Sequence, residues 1–311
     1  MPALILHHYP LSPFAEKIRR VLAFKQLAWT SVTIPMVMPK PDLTALTGGY
    51  RKTPVLQIGA DIYCDTALIC DVLEHIEPEP TLYPPHHKGL ARIVAQWADT
   101  SLFWSAMAHS MRAQGAAEIF GTQAPEVGKS FAQDRSAMRV AVPRVGANDA
   151  AGACQSYLRR LANMLEEHPY LLGALPCVAD FAAYHPLWFM RVQTPAMARL
   201  LDATPTVLAW MDRIAAIAAA PIVAIDAAHA IAIAAAAAPR SVDGQAFQDD
   251  HGIALGSLVT ISGDTFGPEP TEGVLVAATR MHYTLRRVDT RAGTVHVHLP
   301  RIGNVLRPVL A

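Results

Sequence analysis

The hydrophobic pattern changes its period twice along this 311-residue chain, and that double switch constrains the fold more than any single motif. Up to about residue 85, strand-like and helix-like segments alternate. Leu4–His8 reads as a buried strand. Ser12 then offers an N-cap, with Pro13 at the first helical position, the residue types that a helix start selects. Ile18, Val21 and Leu22 recur at helical spacing, with Glu16, Lys17, Arg19 and Arg20 on the polar side. Trp29–Ile34 alternates and is rich in β-branched residues, which predicts a second strand. Val55–Ile58 and Ile62–Cys64, joined by Gly59-Ala60-Asp61, predict a hairpin. Ile69, Val72, Leu73 and Ile76 form the apolar stripe of a helix beginning near Asp65. The order is βαβ followed by ββα.

Pro78, Pro80, Pro84 and Pro85 make a joint. From residue 88 to about 232 no segment alternates as a strand does, and helices are predicted near 88–112, 150–168, 178–192 and 205–217. Residues 113–148 mix Gly, Ala, Pro and charge and are long for a bundle connection, so they read as a lid or a partly ordered excursion. After Ala238 the stretch 239–252 is polar and reads as a linker. Strand-like runs at 258–261, 274–278, 282–288 and 295–299 then predict a small, separable all-β module, barrel-like and of about 60 residues. In that module Val295, Val297 and Leu299 are expected to face inward, His296 and His298 outward. The chain thus divides into 1–85, 86–238 and 252–311.

Composition narrows the function. The 26 basic and 26 acidic residues cancel, which removes electrostatic capture of nucleic acid or acidic membrane as a default role. Hydrophobic residues at 52% against 17% charged exclude a disordered chain. Cys64, Cys70, Cys154 and Cys177 form no CxxC pair, which fits a reducing, cytoplasmic setting. No secretory signal is recognised at the N-terminus. The apolar stretch 214–238 is interrupted by Pro221, Asp226 and His229, so soluble helices are expected there rather than a bilayer span. Thirteen histidines invite a metal reading, but none sits in a convergent set with cysteine, and a solvated strand face is expected for His296 and His298.

Five segments resemble the glutathione S-transferase family. The run His8-Tyr9-Pro10-Leu11-Ser12-Pro13-Phe14-Ala15-Glu16-Lys17-Ile18-Arg19 resembles the first strand-to-helix turn of its serine and omega-like classes. Lys52-Thr53-Pro54-Val55-Leu56 is similar to its cis-proline segment, Asp65-Thr66-Ala67-Leu68-Ile69 to the start of its third helix, and Leu82-Tyr83-Pro84 to the end of its first domain. Pro176-Cys177-Val178-Ala179-Asp180-Phe181 is similar to the box that opens a helix of its second domain. The matches run in family order over about 230 residues. They imply an α/β thioredoxin-like domain followed by an all-α domain, with the β module lying outside the common pattern.

The resemblance also implies a chemistry: activation of the glutathione thiol for attack on a small hydrophobic electrophile, as in detoxification. A thiol is a poor nucleophile until ionised, and a helix N-terminus stabilises the anion. On that reading Ser12 donates a hydrogen bond to the sulfur, besides capping its helix, and Tyr9 is the rival hydroxyl. The first and fourth positions of the turn are Ser12 and Ala15, where thiol oxidoreductases of this fold carry cysteine, so mixed-disulfide chemistry is demoted. Thr53 and Pro54 would pair with the cysteinyl part of glutathione. Asp65 and Thr66 would hold its γ-glutamyl end, and Lys40, Arg51 or Lys52 its glycyl carboxylate. Phe103, Trp104, Met107 and Met111 would line the electrophile pocket, or simply pack as core. A homodimer is implied, with no metal. Isomerase or dehalogenase chemistry falls in the same enzyme class, and the contrasting class is a non-catalytic scaffold that binds partners through the β module.

Overall fold

The computed structural model of the protein describes residues 3–121, 125–142, 145–248 and 250–309. In the first segment, strands β1 (Ile5–His8), β2 (Trp29–Thr33), β3 (Val55–Ile58) and β4 (Asp61–Cys64) pair in the order β4-β3-β1-β2. β1 and β2 are parallel, and the crossover that such a pair requires is helix α1 (Pro13–Phe24). α1 and α3 (Thr66–Ile76) carry the stripes expected of them: Ile18, Val21, Leu22, Ile69 and Leu73 are all buried. Helix α2 (Pro41–Thr47) covers the opposite face. At seven residues it is too short to show a period, and its only sequence signatures are Pro41 at the start and Gly48 in the left-handed C-cap, at φ 77°.

The helical segment contains α4 (Lys88–Trp97), α5 (Phe103–Ser110), α6 (Ala113–Phe120), α7 (Pro125–Ala137), α8 (Ala147–Met164), α9 (Val178–Trp188) and α10 (Pro205–Ala215). A π-helical turn, Ala98–Leu102, joins α4 to α5. The 113–148 excursion is therefore two helices, apart from 122–124 and 143–144, which lie outside the described residues. The box that opens α9 holds together through Asp180, whose Oδ1 accepts from Leu171 N at 2.9 Å and Trp210 Nε1 at 2.8 Å. No described helix is long and apolar enough to cross a membrane.

Two expectations fail here. First, the all-helical reach does not extend to residue 238. Ile222–Ala224 forms strand β5, parallel to β2, and α11 (Ala227–Ala236) lies on the sheet, where Gln57 Nε2 donates to Ala230 O at 2.8 Å. Second, the β module does not stand apart. Its strands β6 (Leu258–Gly263), β7 (Thr271–Ala278), β8 (His282–Asp289) and β9 (Gly293–Pro300) form an antiparallel meander. β10 (Asn304–Pro308), which carries a weak sequence pattern, returns to pair with β6 as in a partly closed barrel. The open strand β9 then adds in parallel to β4, pairing Asp61 with His296 and Tyr63 with His298. One sheet of ten strands results. An edge strand offers a row of unpaired backbone groups, and here the module satisfies the edge of β4.

Packing follows the same division. One core joins α1, α3 and the helices. The other joins Ile5, Leu43, Leu46 and Ile62 of the first segment, Ile231 of α11, and Val259, Leu285, Val295, Val297 and Leu299 of the module. The three module residues expected to face inward do so, but into a core shared with the first segment. The 239–252 stretch is also tied down: Arg240 N donates to Asp61 Oδ2 at 3.0 Å and Gln248 N to Ala278 O at 2.7 Å.

His296 and His298 face the seam rather than solvent. Both are buried, and His298 lies between Asp61 Oδ1, at 2.9 Å from Nε2, and Thr284 Oγ1, at 3.0 Å from Nδ1. Strand alternation correctly assigned them to one face, but it does not say what covers that face. Elsewhere, burial pushes His7 and His8 down to about 4. Unfolded histidines titrate near 6.5 and so take up protons before the folded ones do. Stability from this source is intact above about pH 6.5 and is lost as the pH falls from there toward 4. The urea midpoint should therefore drop between about pH 7 and about pH 5, less so in His7→Gln; a midpoint flat across that interval would contradict neutral buried imidazoles.

Candidate active site

A cleft of about 1020 Å³ opens where α1, the 50–54 segment, the start of α3, helices α4 to α7 and the β module meet. Ser12 lies on its wall at the N-terminus of α1. Its Oγ accepts the Ala15 amide hydrogen at 3.2 Å, so it caps the helix and its own hydroxyl proton remains to be donated. The unpaired N–H groups and partial positive charge of the helix start sit beside it. Tyr9 also reaches the cleft, but Arg135 Nη2 of α7 donates to its hydroxyl at 3.1 Å. Its oxygen accepts that bond while its own O–H, like that of Ser12, stays free to donate; what separates the two is that Ser12 alone caps the α1 N-terminus.

Thr53 and Pro54, joined by a cis peptide, and Asp65 and Thr66 line the same cleft. Asp65 has φ 80°, unusual for a residue with a side chain, and its carboxylate accepts from Ala67 N at 2.9 Å. Thr66 is the first residue of α3. Its Oγ1 accepts from Lys17 Nζ at 3.1 Å, which leaves the O–H free to donate.

That lysine belongs to a buried group with no sequence signal. Lys17 Nζ lies 2.5 Å from Asp99 Oδ2, and His185 Nε2 lies 3.0 Å from Asp99 Oδ1. Asp99 sits in the π-helical turn, a distortion that recurs at functional sites. Burial alone would depress the lysine, but the Asp99 carboxylate outweighs it and holds the ammonium above its usual range. Burial would likewise raise Asp99, and Lys17 outweighs it and keeps the carboxylate ionised. Burial keeps His185 below its ordinary value. An ammonium, a carboxylate and an imidazole are thereby fixed under Thr66.

Of the three cations considered for the glycyl carboxylate, Lys40 is buried behind the cleft wall. Its Nζ is 3.4 Å from both Arg51 O and Thr53 Oγ1, and burial, with Arg135 nearby, brings it down to about 8. Arg51 is already paired, with Glu269 at 2.6 Å and Asp134 at 2.8 Å. Lys52 remains on the wall, with no ion pair among the described residues. None of the four cysteines lines the cleft. All are buried free thiols, and burial pushes Cys70 and Cys154 up to about 12.

Phe103, Trp104, Met107 and Met111 all face the cleft, so the stripe is wall as well as core. The far wall comes from the module. Val140 N donates to Thr265 O at 2.9 Å and Gly267 N to Met138 O at 2.8 Å, which docks the β6–β7 loop on the segment after α7. The end of the loop and the start of β7 meet the 47–51 turn, where Tyr50 N donates to Thr271 Oγ1 at 3.1 Å. A Cβ on Gly49, at φ 149°, would lie 2.4 Å from Pro270 O, so this approach requires glycine.

Residues 6–81 match the family model for the glutathione S-transferase N-terminal domain, and residues 133–213 that for its C-terminal domain. A GST-like protein from Pseudomonas syringae is 40% identical, with 99% of this chain and 100% of that one covered at a TM-score of 0.83. The chain belongs to the glutathione S-transferase family. Two further similarities bound what that membership carries. A glutathione S-transferase from Rhodospirillum rubrum F11 has the same fold at 19% identity and a TM-score of 0.53, covering 68% of this chain and 88% of its own. FtsZ-localized protein A of Caulobacter vibrioides is 23% identical over 183 residues, which is 57% of this chain and 73% of that protein. Whole-chain coverage by the Pseudomonas protein shows that a transferase-family member carrying extra C-terminal strands is not peculiar to this sequence.

Proposed function

We propose that this family member binds glutathione in the cleft and conjugates it to a small hydrophobic electrophile. The observation that carries the reading is Ser12. Its hydroxyl proton is free at a helix N-terminus, on the wall of the cleft that also holds Thr53, Pro54, Asp65 and Thr66. The γ-glutamyl end would lie against Asp65 and the Thr66 hydroxyl, the cysteinyl part along Thr53, and the glycyl carboxylate toward Lys52. Ser12 would then donate to the sulfur and favour the thiolate, since hydrogen bonds to an anion are the stronger kind. The electrophile would sit against Trp104, Met107 and Met111. The sulfur lone pair forms the new bond as the leaving group, or the π-electron pair of an activated double bond, departs. The subunits would act as a homodimer.

Ser12→Ala should raise the thiol pKa of bound glutathione and slow conjugation by roughly 10²-fold. An unchanged rate would move the donor role to the helix N-terminus alone. Similarity to a protein named for its localisation to FtsZ favours a second reading, in which the fold serves as a partner-binding scaffold. Glutathione binding without turnover of any generic electrophile would support that reading.

A further inference from the structure

We propose that the β6–β7 loop of the module builds an aryl subsite in the cleft, with Phe266 selecting a flat aromatic group attached to the glutathione sulfur. The inference rests on the cleft being a glutathione site. Phe266 is half-buried on the cleft wall, and its ring meets Trp104 edge-on at 5.1 Å. Trp104 meets Phe103 at 4.9 Å, again near-perpendicular, and the Arg139 guanidinium lies 4.6 Å from the centre of the Trp104 ring. An edge-to-face contact occupies at most one face of one ring of the pair, and Arg139 lies over Trp104, so it is the half-buried Phe266 ring on the cleft wall that offers a surface against which a further ring packs well. The wall is also rigid. The loop is bonded to the 138–141 segment on both sides of Phe266, through Thr265 O and Gly267 N, and Arg51 anchors it through Glu269. It turns back over Gly263, where a Cβ would lie 2.4 Å from Phe266 O. A ring held this firmly on an open wall acts as a template for another ring, whereas an aliphatic chain gains only burial from it.

Stable thioethers test this without requiring turnover. Glutathione, S-hexylglutathione and S-(p-nitrobenzyl)glutathione are titrated calorimetrically into the full-length protein and into Phe266→Leu, which keeps the apolar bulk and removes the ring. The expected result is about tenfold weaker binding of the nitrobenzyl thioether, under about twofold for the hexyl thioether, and no change for glutathione. Equal weakening of both thioethers, or none, overturns the aryl subsite and leaves the glutathione site standing. Failure of all three ligands to bind the wild-type protein overturns both. Phe266→Tyr, which restores a ring of nearly the same shape, should recover the nitrobenzyl affinity; recovery absent in a folded variant would count against stacking.

Discussion

Asp99→Ala is expected to lose about 3–5 kcal/mol of stability at neutral pH, one of the largest effects of any single substitution in this chain. Lys17 is fully buried, and Asp99 is the only carboxylate within ion-pair distance of it among the described residues. Without that carboxylate the ammonium keeps Thr66 alone, and a buried charge left uncompensated costs far more than the pair gains. The double variant Asp99→Ala with Lys17→Met should recover much of the loss, because no charge is then stranded. Urea denaturation of the two variants reads this directly. A single-variant loss under about 1 kcal/mol would mean that water from the cleft already solvates the pair.

Ending the chain after Ala238 is expected to abolish cooperative folding. The truncation uncovers the β4 edge along Asp61–Tyr63 and removes Leu285, Val295, Val297 and Leu299 from a core shared with Leu43, Leu46 and Ile62. Each such side chain contributes roughly 1.5–3 kcal/mol through burial, so a few of them equal the whole stability of a typical domain. The truncation also takes away Glu269, which holds Arg51, and the far wall of the cleft. Thermal melting by circular dichroism should show no sharp transition and calorimetry no glutathione binding. A truncated protein that melts cooperatively and keeps full affinity would show that the module is an appendage after all.

What was legible in the sequence is what local chemistry determines. Ser12-Pro13 marks a helix start wherever it occurs, and the alternation of Trp29–Thr33 or Val55–Ile58 needs no distant partner to be seen. Phe103, Trp104, Met107 and Met111 were identifiable as one helical stripe, though not as wall or core. The rest depends on contacts between residues far apart in the chain. Lys17 and Asp99 are 82 residues apart, Asp99 and His185 are 86, and Asp61 and His298 are 237. Lys17 sits beside Ile18 on the charged side of a helix whose other cations, Arg19 and Arg20, are half-buried and pair with Glu16 of the same helix, so its spacing suggests a local surface pair rather than a buried partner from another element. The His296–His298 face was assigned to solvent for the same reason: a strand pattern gives two faces, and only the tertiary fold reveals that β4 supplies a carboxylate and a tyrosine to one of them. The polar 239–252 stretch reads as a linker because its ties are backbone groups and one ion pair, Asp250 with Arg301, whose partners lie far along the chain and leave no mark on local composition.

Ionisation of the bound thiol is the most direct test of the cleft as a glutathione-activating site. Glutathione is held at saturating concentration with the full-length protein, and its thiolate absorbance is followed against pH, in wild type and in Ser12→Ala. A free thiol titrates at about 8.5. The wild-type complex should titrate clearly below that value, and Ser12→Ala should return it part of the way. Absence of binding at millimolar glutathione, or a bound thiol that titrates as it does in free solution, would contradict the assignment of Ser12 and the helix α1 N-terminus to thiol activation.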